Sequence, residues 1–181
     1  MGHLNERLRP HKRVASQRGA RWSGRGPMRK KRHQSLIPLS HQHHHGLVMS
    51  HRLKQLPDHP DAQAVAALAD EVVTFFRDHL IPHFDAEEKA LFPVIEEHGD
   101  RSALIDELRE EHGRLSALVE QLGAPTLETA ERASLLRRFG HVLEAHIRKE
   151  ERVLFPLYEE RVPEPVAHRV GAHIERILKR R

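Results

Sequence analysis

The sequence predicts an all-α protein: an up-down-up-down four-helix bundle with a short extra C-terminal helix and a disordered basic N-terminal tail. Three observations lead there. Hydrophobic residues make up 38% of the 181 positions and aromatics only 4%, which suits helices packed through Leu, Val and Ala. From Leu36 onward the apolar residues recur at helical period. The segments between periodic stretches are short, so successive helices should run antiparallel.

Residues 1–34 stand apart. They hold eleven Lys or Arg and a single acid, Glu6, so the remaining chain has 19 basic and 25 acidic residues. The overall formal charge of +4 therefore hides an acidic domain behind a basic tail. Few apolar residues are available there to offset the entropy of ordering. The tail reads as an electrostatic arm for nucleic acid or an acidic partner, as a solvated extension, or as sequence ahead of a true start at Met28.

The bundle is expected over 36–162. A first helix runs from about Ser40, a suitable N-cap, to Leu56, and Pro57, Asp58 and Pro60 make the following turn. A second runs from about Ala62 to Glu97 and closes at His98-Gly99-Asp100. A third covers about Arg101 to Leu122, followed by the turn Gly123-Ala124-Pro125. A fourth covers about Glu128 to Arg161. Pro163 and Pro165 then precede a basic helix within 163–181, about Val166 to Lys179. Pro82, Pro93 and Pro156 fall inside helical patterns, where a proline removes a hydrogen bond and bends the helix.

The chain has no cysteine, which excludes disulfides, thiolate zinc sites and iron–sulfur clusters. No apolar run reaches the roughly 20 residues that span a bilayer, and the first 34 residues lack a secretory apolar core. The expected setting is the cytoplasm. Histidine is the anomaly, with 17 copies.

An internal repeat accounts for several of them. His83-Phe84-Asp85-Ala86-Glu87-Glu88-Lys89-Ala90-Leu91-Phe92-Pro93 matches His146-Ile147-Arg148-Lys149-Glu150-Glu151-Arg152-Val153-Leu154-Phe155-Pro156 at six of eleven positions. Residues i and i+4 share a helix face, so each copy presents an imidazole beside a carboxylate. In the second helix the apolar stripe reads Phe76, Leu80, His83, Glu87, Leu91, Val94. In the fourth it reads Phe139, Val142, Leu143, His146, Glu150, Val153, Leu157. Both His–Glu pairs lie within their stripes and face the core. Buried carboxylates cost several kcal/mol unless paired or bound to metal, so two of them converging with two histidines point to a cation.

The third helix adds His112, within the stripe Leu104, Leu108, Leu115, Val119. The first contains His41, His43, His44 and His45. His44 shares a face with Leu47 and Val48 and repeats the His112–Leu115 spacing, which makes it the expected inward residue, with His43 the alternative. The expected metal ligands are His44, His83, Glu87, His112, His146 and Glu150. His79, one turn before His83, is either a further ligand or an outer partner. Glu88 and Glu151, one position off the stripes, either orient ligands or are solvated. Nitrogen and oxygen donors without sulfur suit iron or manganese, and zinc less well. Two bridging carboxylates would hold two ions close together. The open positions would take dioxygen, peroxide or nitric oxide.

At His44, His83-x-x-x-Glu87, His112 and His146-x-x-x-Glu150, on four successive helices, the chain resembles the hemerythrin-like (HHE cation-binding) family over about 36–160. The resemblance implies the four-helix bundle and a non-haem, carboxylate-bridged di-iron centre. It also implies small-ligand binding for storage, sensing or scavenging, or an oxidoreductase acting on peroxide or nitric oxide. The oxygen-carrying members have a further histidine one turn before the third-helix ligand. Leu108 stands there in this chain, which favours sensing or redox chemistry over reversible carriage. Ferritin-like bundles use Glu-x-x-His, a spacing found nowhere in the sequence.

Overall fold

The computed structural model describes residues 31–99 and 102–179. The chain divides into two units, Met1–Lys31 and Arg32–Arg181, and the described helices all belong to the second. The reading of positions 1–30 as a tail or a nucleic-acid arm lies outside the described residues. Arg32 and His33, also assigned to that tail, instead bond Glu159 in the folded unit.

The described residues are helical, and no strand occurs among them. A short 3₁₀ turn, Gln34–Leu36, leads into α1, Ile37–Lys54. The second helix, α2, spans 62–99 and the third, α3, is Ser102–Leu122. The fourth, α4, spans 129–161, and α5 is Glu164–Leu178. Their starts are chemically marked. Asp61 caps α2 by accepting from the Ala64 amide at 2.9 Å, and Glu128 and Glu131 form a reciprocal capping box on α4. Ser40 is not a cap, contrary to expectation. The helix begins three residues earlier at Ile37, with Pro38 in the first turn, where a missing N–H is harmless.

The three interior prolines do not break their helices. Each follows directly on a π-helical segment: Phe76–Leu80 before Pro82, Glu87–Leu91 before Pro93, and Glu150–Leu154 before Pro156. In each case the residue just before the proline donates its N–H five residues back, as Phe92 does to the Glu87 carbonyl and Phe155 to that of Glu150. The widened turn absorbs the proline while the chain stays helical.

Widening also rotates everything downstream. Val153 and Leu157 were expected to face the core, yet Val153 is exposed and Leu157 only half-buried, while Leu154, Phe155 and Tyr158 are fully buried. In α2 the inward position falls on Ile95, and Val94 is half-buried.

Two apolar clusters result. One gathers Met49, Leu53, Val72, Leu115, Phe139 and Leu143. The other gathers Leu39, Leu91, Leu108, Leu154, Tyr158 and Ile174. On every one of α1 to α4, the buried polar residues His43, His83, Glu87, His112, His146 and Glu150 fall between members of these two clusters. A polar layer is thus sealed above and below by hydrocarbon.

Helix α4 packs against α1, α3 and the first part of α2. Its approach to α1 depends on glycine. A Cβ on Gly140 would sit 2.9 Å from the Ser50 carbonyl oxygen, and one on Gly46 would sit 2.6 Å from Ile147 Cδ1. Helix α5 packs its buried Ala167, Val170 and Ile174 onto the second cluster and lies against the 34–36 turn. The Tyr158 hydroxyl, 3.1 Å from Ser35 Oγ, helps to close that end. Among the described residues no helix is long and apolar enough to cross a membrane.

Candidate metal centre

Six buried side chains converge in the polar layer. Their donor atoms form two groups, His43, His83, Glu87 and Glu150 on one side and Glu87, His112, His146 and Glu150 on the other. Within each group the atoms lie within 4.8 Å of one another. Glu87 and Glu150 belong to both groups and are fully buried. Glu87 turns Oε1 toward His83 Nε2, at 3.1 Å, and Oε2 toward His112 Nε2, at 3.4 Å. Glu150 Oε2 lies 3.1 Å from His43 Nε2 and 3.4 Å from His146 Nε2.

These separations are ion-pair distances, but the angles do not make hydrogen bonds. Both oxygens of Glu87, both of Glu150, and Nε2 of His112 and His146 are buried without a hydrogen-bond partner. Only one other such side-chain atom, Arg132 Nε, occurs among the described residues. Native interiors rarely leave polar atoms unpaired, and here six of them point at one another. Moreover, His43 Nε2 and His83 Nε2 face each other at 3.0 Å. Two nitrogens bound at right angles to one ion, each about 2.1 Å from it, would be about 3.0 Å apart. The donor set therefore fits metal ions, and a pair of them in particular.

The opposite nitrogen of each ring is held from outside. Nδ1 of His43 meets Glu151 Oε1 at 2.8 Å, and Nδ1 of His112 meets Glu88 Oε1 at 2.7 Å. Nδ1 of His83 meets Gln42 Oε1 at 2.7 Å, and Nδ1 of His146 meets Glu111 Oε2 at 3.0 Å. In the neutral ring an acceptor on Nδ1 places the proton there, leaves the Nε2 lone pair pointing inward, and fixes the ring plane. The motif phenylalanines add to this. Phe155 stacks on His43 and Phe92 on His112, each with 15° between planes. Each motif copy thus has two jobs: His and the first Glu point inward, while the second Glu and the Phe clamp the histidine of a neighbouring helix.

The electrostatics are tightly balanced. Burial alone would lower the basicity of His43, but the Glu150 and Glu151 carboxylates outweigh it and raise its pKa to about 9. His112 is likewise raised against its burial, chiefly by Glu87. Burial pushes the Glu87 carboxyl up, but His83 and His112 hold it well below the usual range. Glu151 is half-buried, yet His43, Ser40 and Arg32 bring it down to about 2. Arg32 reaches its Oε2 at 2.6 Å and Ser40 donates to its Oε1 at 2.7 Å. Lys149 bonds Glu111 at 2.6 Å and Glu107 at 2.5 Å.

The family model for the hemerythrin HHE cation-binding domain matches residues 36–158. The chain belongs to the hemerythrin HHE cation-binding domain family. No curated protein and no solved structure matched it.

Within this hemerythrin-family domain the donors His83, Glu87, His112, His146 and Glu150 come together as the repeat suggests. The first helix differs. His44, the expected inward residue, is exposed, and its alternative His43 occupies the layer with 3% exposure. The inward stripe of α1 runs Leu39, His43, Gly46, Met49 or Ser50, Leu53. Two small residues in that stripe make it hard to see, and the large Leu47 and Val48 lie outside it, Val48 half exposed. His79 is outside both donor groups, with its ring 5.2 Å from that of Phe75. Glu88 and Glu151 point away from the donor groups and bond the outer ring nitrogens. Leu108 is fully buried in the second apolar cluster.

Sequence reasoning missed Gln42 and Glu111. Each immediately precedes an inward histidine, in Gln42-His43 and Glu111-His112. Aligning α1 with α3 on His43 and His112 would have brought the two positions together.

Proposed function

We propose that this chain is a hemerythrin-like non-haem di-iron protein that binds a small ligand, dioxygen, peroxide or nitric oxide, for sensing, storage or scavenging. The observation that carries the reading is the set of six buried, unpartnered donor atoms on Glu87, Glu150, His112 and His146. In this reading His43 and His83 would hold one ion and His112 and His146 the other, with Glu87 and Glu150 serving both, inside an up-down-up-down bundle of α1 to α4. Each group offers four residues, so an ion that favours about six donors would have room for a small ligand. Two such iron ions would supply electrons and open coordination positions to the bound ligand. The protein's own part is to hold six donors rigid and dry. Phe84, Phe92 and Phe155 exclude water around the rings, and the outer acceptors hold the Nδ1 proton, so that each Nε2 is aimed inward and is the nitrogen that gives up its proton to metal.

Metal analysis of protein purified without oxygen, together with its ultraviolet–visible spectrum, tests this reading. About two iron ions per chain are expected; fewer than one under iron-replete expression would overturn it. Ligand assays on the loaded protein then separate binding from turnover. Stoichiometric uptake of nitric oxide or azide fits a sensor or store. Sustained peroxide consumption that Glu87→Ala abolishes would make the protein an oxidoreductase.

A further inference from the structure

The polar layer has an approximate internal two-fold relation. Gln42 and His43 on α1 correspond to Glu111 and His112 on α3, 69 positions on, and the two motif copies on α2 and α4 are 63 apart. The contacts repeat as well. His43 bonds Glu151 as His112 bonds Glu88, and His83 bonds Gln42 as His146 bonds Glu111. The relation fails chemically at one pair. The ring of His83 rests on a neutral amide and the ring of His146 on a carboxylate.

We infer that the two metal positions are unequal, and that Gln42 against Glu111 sets the difference: the His112–His146 position binds the first and tighter ion, and the His43–His83 position the second and weaker one. The inference rests on the two-ion reading above. A carboxylate on Nδ1–H pushes electron density through the ring and makes Nε2 a stronger donor; an amide does so far less.

The wider charge pattern points the same way. On the His43–His83 side the outer acceptors are Glu151 and neutral Gln42, and Arg32 pairs with Glu151 while also serving Glu159. On the other side Glu88 and Glu111 are both charged, and Lys149 offsets only one of them while also serving Glu107. The outer acceptors thus carry one carboxylate charge around one position and two around the other, with one shared cation on each side. Outer partners of this kind change metal affinity by about 10- to 100-fold.

Two bridged cations repel each other, so unequal binding steps alone would prove nothing. The response to exchanging the outer partners is decisive. Anaerobic cobalt(II) titration, followed by its visible absorption, reads both steps without any turnover assay. Gln42→Glu should tighten the second step about tenfold and leave the first nearly unchanged. Glu111→Gln should weaken the first step about tenfold. Circular dichroism confirms that each variant is folded, and both substitutions keep an acceptor oxygen of similar reach. Steps that do not move in either folded variant overturn the inference while leaving the two-ion centre standing. Failure of the unsubstituted protein to bind cobalt(II), iron(II) or manganese(II) would overturn the centre itself.

Discussion

Nε2 of His43 and Nε2 of His83 face each other at 3.0 Å in a buried layer. They come from helices 40 positions apart in the chain, and each ring is held by its own outer acceptor, Glu151 and Gln42. Neither ring can turn away without breaking that bond. Two imidazole nitrogens at this separation could both bind one cation.

This relationship separates two neighbouring histidines. His43→Ala removes a buried donor and should lower metal content to about one ion per chain or less. His44→Ala removes an exposed ring and should leave metal content unchanged. Metal analysis of the two variants prepared in parallel decides the matter. Loss of metal in the His44 variant alone would mean that α1 is rotated by about 100° from the phase described.

What the sequence disclosed depended on residue size and on helix regularity. The repeat pointed to four of the six clustered side chains, because His83, Glu87, His146 and Glu150 keep strict i, i+4 spacing, and His112 stood out because it lies among large leucines. The α1 donor was hidden by Gly46 and Ser50. Gly46 stands where α3 has Leu115, so a stripe sought through bulky residues was drawn one position late, through Leu47 and Val48. The π-segments were invisible for a different reason. Each adds one residue to a turn, so a fixed helical period fails just past Glu87 and Glu150, and Val153 was read as core. The prolines were the only signal, and they mark where the widening ends. The outer acceptors Gln42 and Glu111 fell outside the apolar stripes altogether, so no hydrophobic pattern could reveal them.

The α1–α4 seam predicts an unusual glycine-to-alanine cost. In a helix interior the exchange normally gains about 1 kcal/mol. At Gly140 the new Cβ would lie 2.9 Å from the Ser50 carbonyl oxygen and 3.0 Å from Leu53 Cβ. Both are attached to the facing backbone and cannot swing aside. Overpacking costs about 1 to 3 kcal/mol, so Gly140→Ala should lose the usual gain and be net destabilising by up to about 2 kcal/mol. At Gly46 the obstacle is the tip of Ile147, which can change rotamer, and the cost should be smaller. Urea denaturation of metal-free protein measures both. A Gly140 variant at least as stable as the parent would show that the helices part without penalty.

Metal uptake should release protons. In the metal-free protein Glu150 and Glu151 keep His43 protonated up to about pH 9, and Glu87 raises His112 above its ordinary value. Only the neutral ring binds metal, so the ion must displace these protons. Apparent affinity should therefore rise with pH from about 6 and level off near 9, as His43 loses its proton unaided. Cobalt(II) titrations in this range, paired with proton release in weakly buffered solution, test it. An affinity independent of pH, with no protons released, would mean that His43 and His112 are already neutral in the metal-free state.

A groove of about 450 Å³ opens beside His112, lined in part by Phe76, Ile81, Phe84, Glu88 and Gly113. Its inner wall includes His112 itself and the Phe84 ring stacked on it at 3.8 Å. The innermost donors are one imidazole away. Gly113 sits on the rim, and a Cβ built there meets nothing within 4 Å. A larger residue can enter that space without strain, and replacing a helical glycine should also stabilise α3 by about 0.5 to 1 kcal/mol. Gly113→Leu should thus give a protein that is more stable, loads the same amount of metal, and yet binds external ligand more slowly. Stopped-flow mixing of iron-loaded protein with azide measures the rate, and a decrease of about threefold or more is expected while the final spectrum stays the same. Unchanged association in the leucine variant would show that ligands reach the centre by another path, because the substitution obstructs this groove without disturbing a donor.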